Sequence, residues 1–189
     1  NVIRREFRLK EGEIFDGSKL KRSKQRINNL NYFEDVKIDT HRGQDPDLID
    51  ILTTVTERPT GSFTVGIGFS SVENFIFSTS ITQDNLFGNG QRLSLNAHLS
   101  SIRTDFRINF TEPRLFDSEI SLGVDLFNED EDFLSFDAQS IGGGFRLGKN
   151  LSEYESVGLK YRLANVETSG VDPSDVTEFF KNETRLTSR

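Results

Sequence analysis

The sequence predicts a chain in two parts, a small α+β module followed by an antiparallel meander of strands of the kind that builds a membrane β-barrel. Three observations carry this. Hydrophobic periodicity changes from helical spacing to a strict period of two near residue 60. Charge splits at the same place: residues 1–60 hold 12 Lys+Arg and 11 Asp+Glu, whereas residues 61–189 hold 11 and 19. Between the two parts Glu57-Arg58-Pro59-Thr60-Gly61 punctuates the pattern with proline and glycine.

In the first part, Val2, Ile3 and Phe7 stand at helical spacing and Glu11-Gly12 closes that segment, which predicts a first helix. Asp16 or Ser18 can cap a second helix that carries Leu20, Ile27 and Leu30 on one face and Lys19, Lys21, Arg22, Lys24 and Arg26 on the other. Asn31 tolerates the left-handed backbone that often ends a helix. Two strands are then expected, Phe33 to Thr40 and Leu48 to Glu57, paired as a hairpin around Gly43-Gln44-Asp45-Pro46.

In the second part the alternation is nearly strict. Phe63, Val65, Ile67 and Phe69 interleave with Thr64, Gly66, Gly68 and Ser70, and six further segments repeat the pattern. They centre on Phe75–Ile81, Leu93–Leu99, Phe106–Phe110, Ile120–Leu126, Ile141–Leu147 and Val157–Leu163. Seven strands of seven to ten residues are expected, with an eighth starting near Glu183. The longest connection is expected over Asn165 to Asn182, with a short helix from Asp172-Pro173. A soluble sandwich and a membrane barrel both alternate in this way. The charged face (Arg92, Asp105, Arg107, Asp125, Arg146, Lys160 and Arg162) and a hydrophobic content of 34% favour the barrel, whose interior is polar. Such a sheet cannot leave edges unpaired in hydrocarbon, so the strands read as part of a larger barrel. No signal peptide or initiator Met opens the chain, which reads as a piece of something longer.

Composition narrows the chemistry. A net charge of −7 gives no basic domain for nucleic acid. With no Cys, thiol catalysis, disulfide scaffolds and Cys-ligated zinc are excluded. Gly143 to Asn150 nearly matches a phosphate loop, but Asn150 stands where Ser or Thr would bind magnesium and the segment alternates as a strand. The acidic run Glu129 to Asp132 lacks the spaced ligands of a calcium loop and reads as a solvated loop tip. His41 and His98 have no ligand-spaced partners, and no nucleophile and base are paired. No catalytic residue, cofactor or metal is expected. Gly66 and Gly68 share one face of the first barrel strand, either as room for neighbouring side chains or as a device that keeps the strand weakly paired.

Several of these segments resemble the family of outer-membrane protein assembly factors typified by BamA, with relatives in bacteria and organelles. Val2-Ile-Arg-Arg-Glu-Phe-Arg8, Glu11-Gly12 and Arg26-Ile-Asn-Asn-Leu-Asn-Tyr-Phe-Glu-Asp-Val36 resemble the last periplasmic POTRA module before the barrel. Thr56-Glu-Arg-Pro-Thr-Gly-Ser-Phe63 resembles the exit into the first strand. Gly66-Ile-Gly-Phe-Ser-Ser71, Gln83-Asp-Asn-Leu-Phe-Gly88 and Phe110-Thr-Glu-Pro113 resemble early strands and periplasmic turns. Asn31 stands where the family commonly has glycine, the module's first strand is not seen, and the late loop with the family's Arg-Gly-Phe signature is not in the chain.

The resemblance implies residues 1–60 as the C-terminal POTRA module in the periplasm and residues 61–189 as the first part of a barrel in the outer membrane of a Gram-negative cell. It implies assembly and insertion of β-barrel proteins without nucleotide hydrolysis, hence no enzyme. The implied client-strand template at the lateral seam is Ser62, Phe63, Thr64, Val65, Gly66, Ile67, Gly68, Phe69 and Ser70. The implied partners are unfolded outer-membrane β-barrel clients, periplasmic accessory lipoproteins and outer-membrane lipid. The module would receive clients or lipoproteins by its own strand edge or by the basic face of Lys19, Lys21, Arg22, Lys24 and Arg26, a cluster that also reads as a solvated helix face. A protein-export transporter of the same superfamily and a soluble β-rich adhesive or structural domain are the alternatives.

Overall fold

A computed structural model of the chain describes residues 2–45, 47–133, 136–152 and 155–170. The expected helix from Asp172-Pro173 and the eighth strand near Glu183 lie outside the described residues. The chain divides into two compact units, residues 1–61 with 83–91, and residues 62–82 with 92–189.

The first unit holds one α-helix, α1 (Gly17–Asn29), and one hairpin, β1 (Phe33–Arg42) and β2 (Ile49–Glu57). The Asp16 carboxylate caps α1, accepting from the Ser18 backbone N–H at 2.7 Å and the Lys19 N–H at 3.3 Å. Those two N–H groups, Ser18 first, hold the Asp16 carboxyl below its ordinary value. Asn31, with φ 59°, ends the helical stretch in the left-handed conformation, as expected of the residue standing in a glycine's place. β1 and β2 pair antiparallel from Phe33↔Glu57 to Arg42↔Ile49, and Gly43 N–H donates to the Leu48 carbonyl at 2.8 Å to close the turn. Val2, Ile27 and Val36 are buried, with Ile27 fully covered.

The helix expected over residues 2–11 is not formed. A single 3₁₀ turn (Arg4–Glu6) stands there, and Phe7 is already extended at ψ 136°. The turn has no side-chain cap, and so short a segment cannot offset the cost of nucleating a helix. Its groups are used elsewhere. Arg8 N–H donates to Ser23 Oγ at 2.8 Å, and the Glu6 carboxylate accepts from Arg26 Nη2 at 2.7 Å. Fully buried Ser23 donates in turn to the Lys19 carbonyl at 2.8 Å, so one hydroxyl ties the extended segment to α1.

The turn after the second barrel strand also belongs to this unit, which the boundary at residue 60 does not anticipate. Asn85 Oδ1 accepts from Gly90 N–H at 2.8 Å, and Arg5 Nη2 donates to the Asn89 carbonyl at 2.9 Å. A Cβ on Gly90, which has φ 77°, would collide with Arg5 Nη2. Glycine is required there for both reasons.

The second unit is built on one seven-stranded sheet in sequence order. Its strands are β3 (Gly61–Ser70), β4 (Asn74–Leu86), β5 (Gln91–Leu99), β6 (Arg103–Glu112), β7 (Ile120–Asp132), β8 (Asp137–Asn150) and β9 (Ser156–Ser169). All seven expected strands are present, and β5 to β9 pair antiparallel without a register break. Several are longer than the seven to ten residues expected, reaching 14 in β8 and β9. On the apolar face the alternation stops at Leu126, Ile141 and Leu163. The ladder nevertheless continues through Asn128, Gln139, Asn165 and Glu167. Periodicity reports only the apolar band, whereas backbone pairing goes on beyond it. Asn165 to Ser169 is therefore strand rather than the start of a long connection, and Glu129 to Asp132 is the end of β7 rather than a loop tip.

No second layer covers this sheet among the described residues. Phe63, Ile67 and Phe69 are 69%, 74% and 79% exposed, and Leu159 and Leu163 are exposed as well. A soluble sandwich would bury this face against a second sheet. The sandwich alternative is thereby corrected: the described strands of this unit form one sheet with an open apolar side.

Candidate functional site

Among the described residues the expected template strand β3 lies at one end of the sheet and pairs with β4. Phe63, Val65, Ile67 and Phe69 project to the open apolar face, and Ser62, Thr64, Gly66, Gly68 and Ser70 alternate with them. The two glycines are not equivalent. A Cβ on Gly66 would come within 2.6 Å of Ser78 Oγ, whereas one on Gly68 meets nothing nearer than Ile76 Cβ at 3.9 Å. Gly66 makes room for a neighbour on β4, and Gly68 has open space beside it. Ser70 Oγ accepts from the Val72 and Glu73 N–H groups at 3.2 and 3.4 Å and closes the turn to β4.

The expected partner surface on α1 is only partly available. Arg26 is committed to buried Glu6, and Lys19 donates to Glu13 Oε2 at 3.2 Å. Lys21, Arg22 and Lys24 are exposed and carry no ion pair among the described residues.

The polar face of β5 to β9 is more organised than its sequence suggests. Arg92, Arg107, Asp125, Arg146, Lys160 and Arg162, six of the seven charged residues expected on that face, line one groove, and Asp105 lies beside Arg107. Arg146 forks onto Asp125 through Nε at 2.7 Å and Nη2 at 2.8 Å, and Asn109 Nδ2 donates to the same carboxylate at 2.7 Å. Glu129 is shared by Arg107 Nη2 at 3.0 Å and Arg162 Nη2 at 3.4 Å. Half-exposed arginines hold each carboxylate in these pairs, which keeps the charges paired without taking them fully out of water.

Phe127 is the residue that sequence reasoning missed. It lies on this polar face, 9% exposed, with the Arg162 guanidinium 3.9 Å above its ring. Gly142 sits opposite Phe127 in the ladder. A Cβ there would meet the Phe127 ring at 2.6 Å and the Ala164 Cα at 2.8 Å. On Gly144 it would meet the Tyr161 carbonyl at 2.7 Å. Gly142 is thus cleared so that an aromatic ring can lie across the strand, and the Gly143–Asn150 stretch that superficially resembled a phosphate loop is the rest of β8. The signal was in the sequence: Leu126-Phe127 puts two apolar residues in succession, so one of them faces the polar side.

At the end of β5, His98 Nε2 lies 3.2 Å from Glu73 Oε2 in the β3–β4 turn, and this contact lowers the Glu73 carboxyl below its ordinary value. No cluster of metal-ligating side chains is found among the described residues.

Comparison with known proteins connects these features. A family model described as the Omp85 superfamily domain matches residues 85–187. The chain belongs to the Omp85 superfamily. A second model, described as a surface antigen variable number repeat of the POTRA type, matches residues 1–58. Outer membrane protein assembly factor BamA of Nitratidesulfovibrio vulgaris is 37% identical over 172 residues, 91% of this chain and 22% of that protein. The protein of the same name from Neisseria meningitidis serogroup B is 32% identical, covering 95% of this chain and 24% of that protein. The chain thus spans about a quarter of the length of these Omp85 relatives. The crystal structure of BamA from Haemophilus ducreyi lacking POTRA domains 1–3 superposes with a TM-score of 0.73 at 29% identity, over 88% of this chain and 33% of that one. CdiB from Acinetobacter baumannii shares the fold, with a TM-score of 0.58 at 14% identity over 88% of this chain and 35% of that one. Membership explains the open apolar face: these are strands of an Omp85 barrel in the outer membrane, preceded by a POTRA module on the periplasmic side.

Proposed function

We propose that the parent protein assembles and inserts β-barrel proteins into the outer membrane, with β3 as the strand on which a client strand is templated. The reading rests chiefly on one observation, a strand that pairs with β4 among the described residues and whose apolar face is open from Phe63 to Phe69. Pairing along such an edge supplies main-chain hydrogen bonds and makes little demand on client side chains. The POTRA module is assigned to residues 1–60 and the first part of the barrel to residues 61–189. Gly66 and Gly68 keep β3 lightly held, and the cationic face of α1, reduced to Lys21, Arg22 and Lys24, receives accessory lipoproteins. Insertion by strand exchange makes no covalent bond, so the reading needs no catalytic group or cofactor.

The test uses the full-length parent with single cysteines at positions 62 to 70, a clean background because this region has none. Disulfides to the last strand of a client caught during assembly, in one register, are the expected result. Depletion of the parent should also lower the folded amount of unrelated outer-membrane barrels. Unchanged barrel levels, with crosslinks only to the parent's own last strand, would overturn the reading in favour of a dedicated export transporter.

A further inference from the structure

The groove on the polar face of β5 to β9 carries a charge opposite to that of its surroundings. Residues 61–189 hold 11 cationic and 19 acidic side chains, yet the groove is lined by Arg92, Arg107, Arg146, Lys160 and Arg162 against Asp125 and Glu129 only. Five of the region's 11 cations thus line the groove with two of its 19 acids, and a third acid, Asp105, lies beside Arg107. Segregation this strong produces a local positive potential inside an acidic protein.

Two details show that the groove is not balanced from within. Arg146 and Lys160 face each other directly in the β8–β9 ladder, a like-charge pair that costs stability. Arg146 is neutralised by Asp125, but Lys160 has no carboxylate partner among the described residues. The cations also lie on four of the five strands from β5 to β9, spread over about 19 Å at the ordinary interstrand spacing, instead of converging on one point. A single phosphate would leave most of that span empty. About six residues of extended polypeptide cover it, with successive same-face carboxylates about 7 Å apart.

We propose that this groove docks an acidic segment of another polypeptide in extended form, held chiefly by Lys160, which has no carboxylate partner among the described residues, with Arg162, steadied on Phe127 and Glu129, beside it. The docking surface is independent of strand templating on β3, because β3 contributes none of the groove's lining side chains.

The test is binding of a fluorescein-labelled peptide of alternating Glu and Ser to the full-length protein in detergent micelles, followed by fluorescence anisotropy. Saturable binding at low salt that weakens about tenfold or more at physiological salt is expected. Lys160→Glu should weaken it at least about tenfold, Lys160→Gln by less, and Lys149→Glu, outside the groove, should leave it unchanged. Heat-modifiable migration on gels confirms that each variant is folded. The proposal is overturned if the wild type does not bind at low salt, if Lys160→Glu binds as the wild type does, or if an alternating Lys and Ser peptide binds equally well. Tighter binding of a short polyphosphate than of the peptide would overturn the polypeptide assignment in favour of a phosphate polymer.

Discussion

Ile27 and Phe63 both lie on a periodic apolar face, yet Ile27 is fully buried and Phe63 is 69% exposed. The first unit follows the rule for a domain in water: one face of α1 and of the hairpin turns inward, and Val2, Ile27 and Val36 form a small core. The second unit inverts the rule. Its apolar side faces out, while its covered side chains, Asp105 and Phe127, lie on the polar face with arginines over them. The same alternation therefore means opposite things on either side of residue 61, because the surrounding medium differs. Apolar burial stabilises the module from within, whereas the strands depend on lipid outside and on paired charge inside.

Substitutions can break this contrast, and the largest effect is expected in the module. Ile27→Ala should cost about 2–5 kcal/mol, since a fully buried side chain leaves a cavity that α1 cannot close. Thermal unfolding of the module, followed by helical circular dichroism, measures the loss. On the sheet the matching experiment adds a charge instead of removing a methyl. Leu159→Arg on the apolar side should cost about 2–4 kcal/mol of stability in bilayers. The same change at Ser94, on the polar side, should cost less than about 1 kcal/mol. Equal costs, read from urea titrations of the refolded protein in lipid, would remove the inside-out assignment.

A smaller effect sharpens the account of the polar face. Gly142→Ala should lower the folded fraction, and Phe127→Leu should not rescue it, because the added methyl also meets the Leu163 carbonyl and Ala164 Cα. Gly68→Ala, with open space around it, should leave the folded fraction unchanged. Full rescue by Phe127→Leu would mean that the ring alone requires the glycine.

The smallest effects are electrostatic. The folded-state pKa values of Asp16 and Glu73 are both depressed, Asp16 by the Ser18 N–H and Glu73 by His98. Each contributes stability that is complete above the ordinary carboxylate value, 3.8 for Asp16 and 4.5 for Glu73, and is lost as pH falls through the lower folded value. Protection from hydrogen exchange, taken relative to the intrinsic rate at each pH, should therefore fall in acid at the start of α1 and in the β3–β4 turn. Asp16→Asn and Glu73→Gln should remove most of that pH dependence. Unchanged dependence in either variant would assign it to other carboxylates.

Much of this was legible in the residues. Asp16 before a helical stretch, Asn31 at its end and Gly43 in a hairpin turn all behave as their local chemistry requires. The seven alternating segments became seven strands because side-chain direction in a strand is a purely local property. The failures have local causes too. Val2 to Phe7 had helical spacing, but Arg8 N–H and the Glu6 carboxylate found partners on α1, more than ten residues away in sequence. β7 and β8 ran beyond the apolar band because backbone pairing does not need apolar side chains.

The amino-acid sequence by itself determined the two-part plan, the register of apolar and polar faces, and the absence of thiol chemistry, since each depends on residue type and spacing alone. Only the tertiary structure decided that Phe127 lies across Gly142 under Arg162, that Ser23 ties the N-terminal segment to α1, and that five cations share one groove. These contacts join residues from different elements, and a cross-strand neighbour is set by backbone register that no single segment encodes.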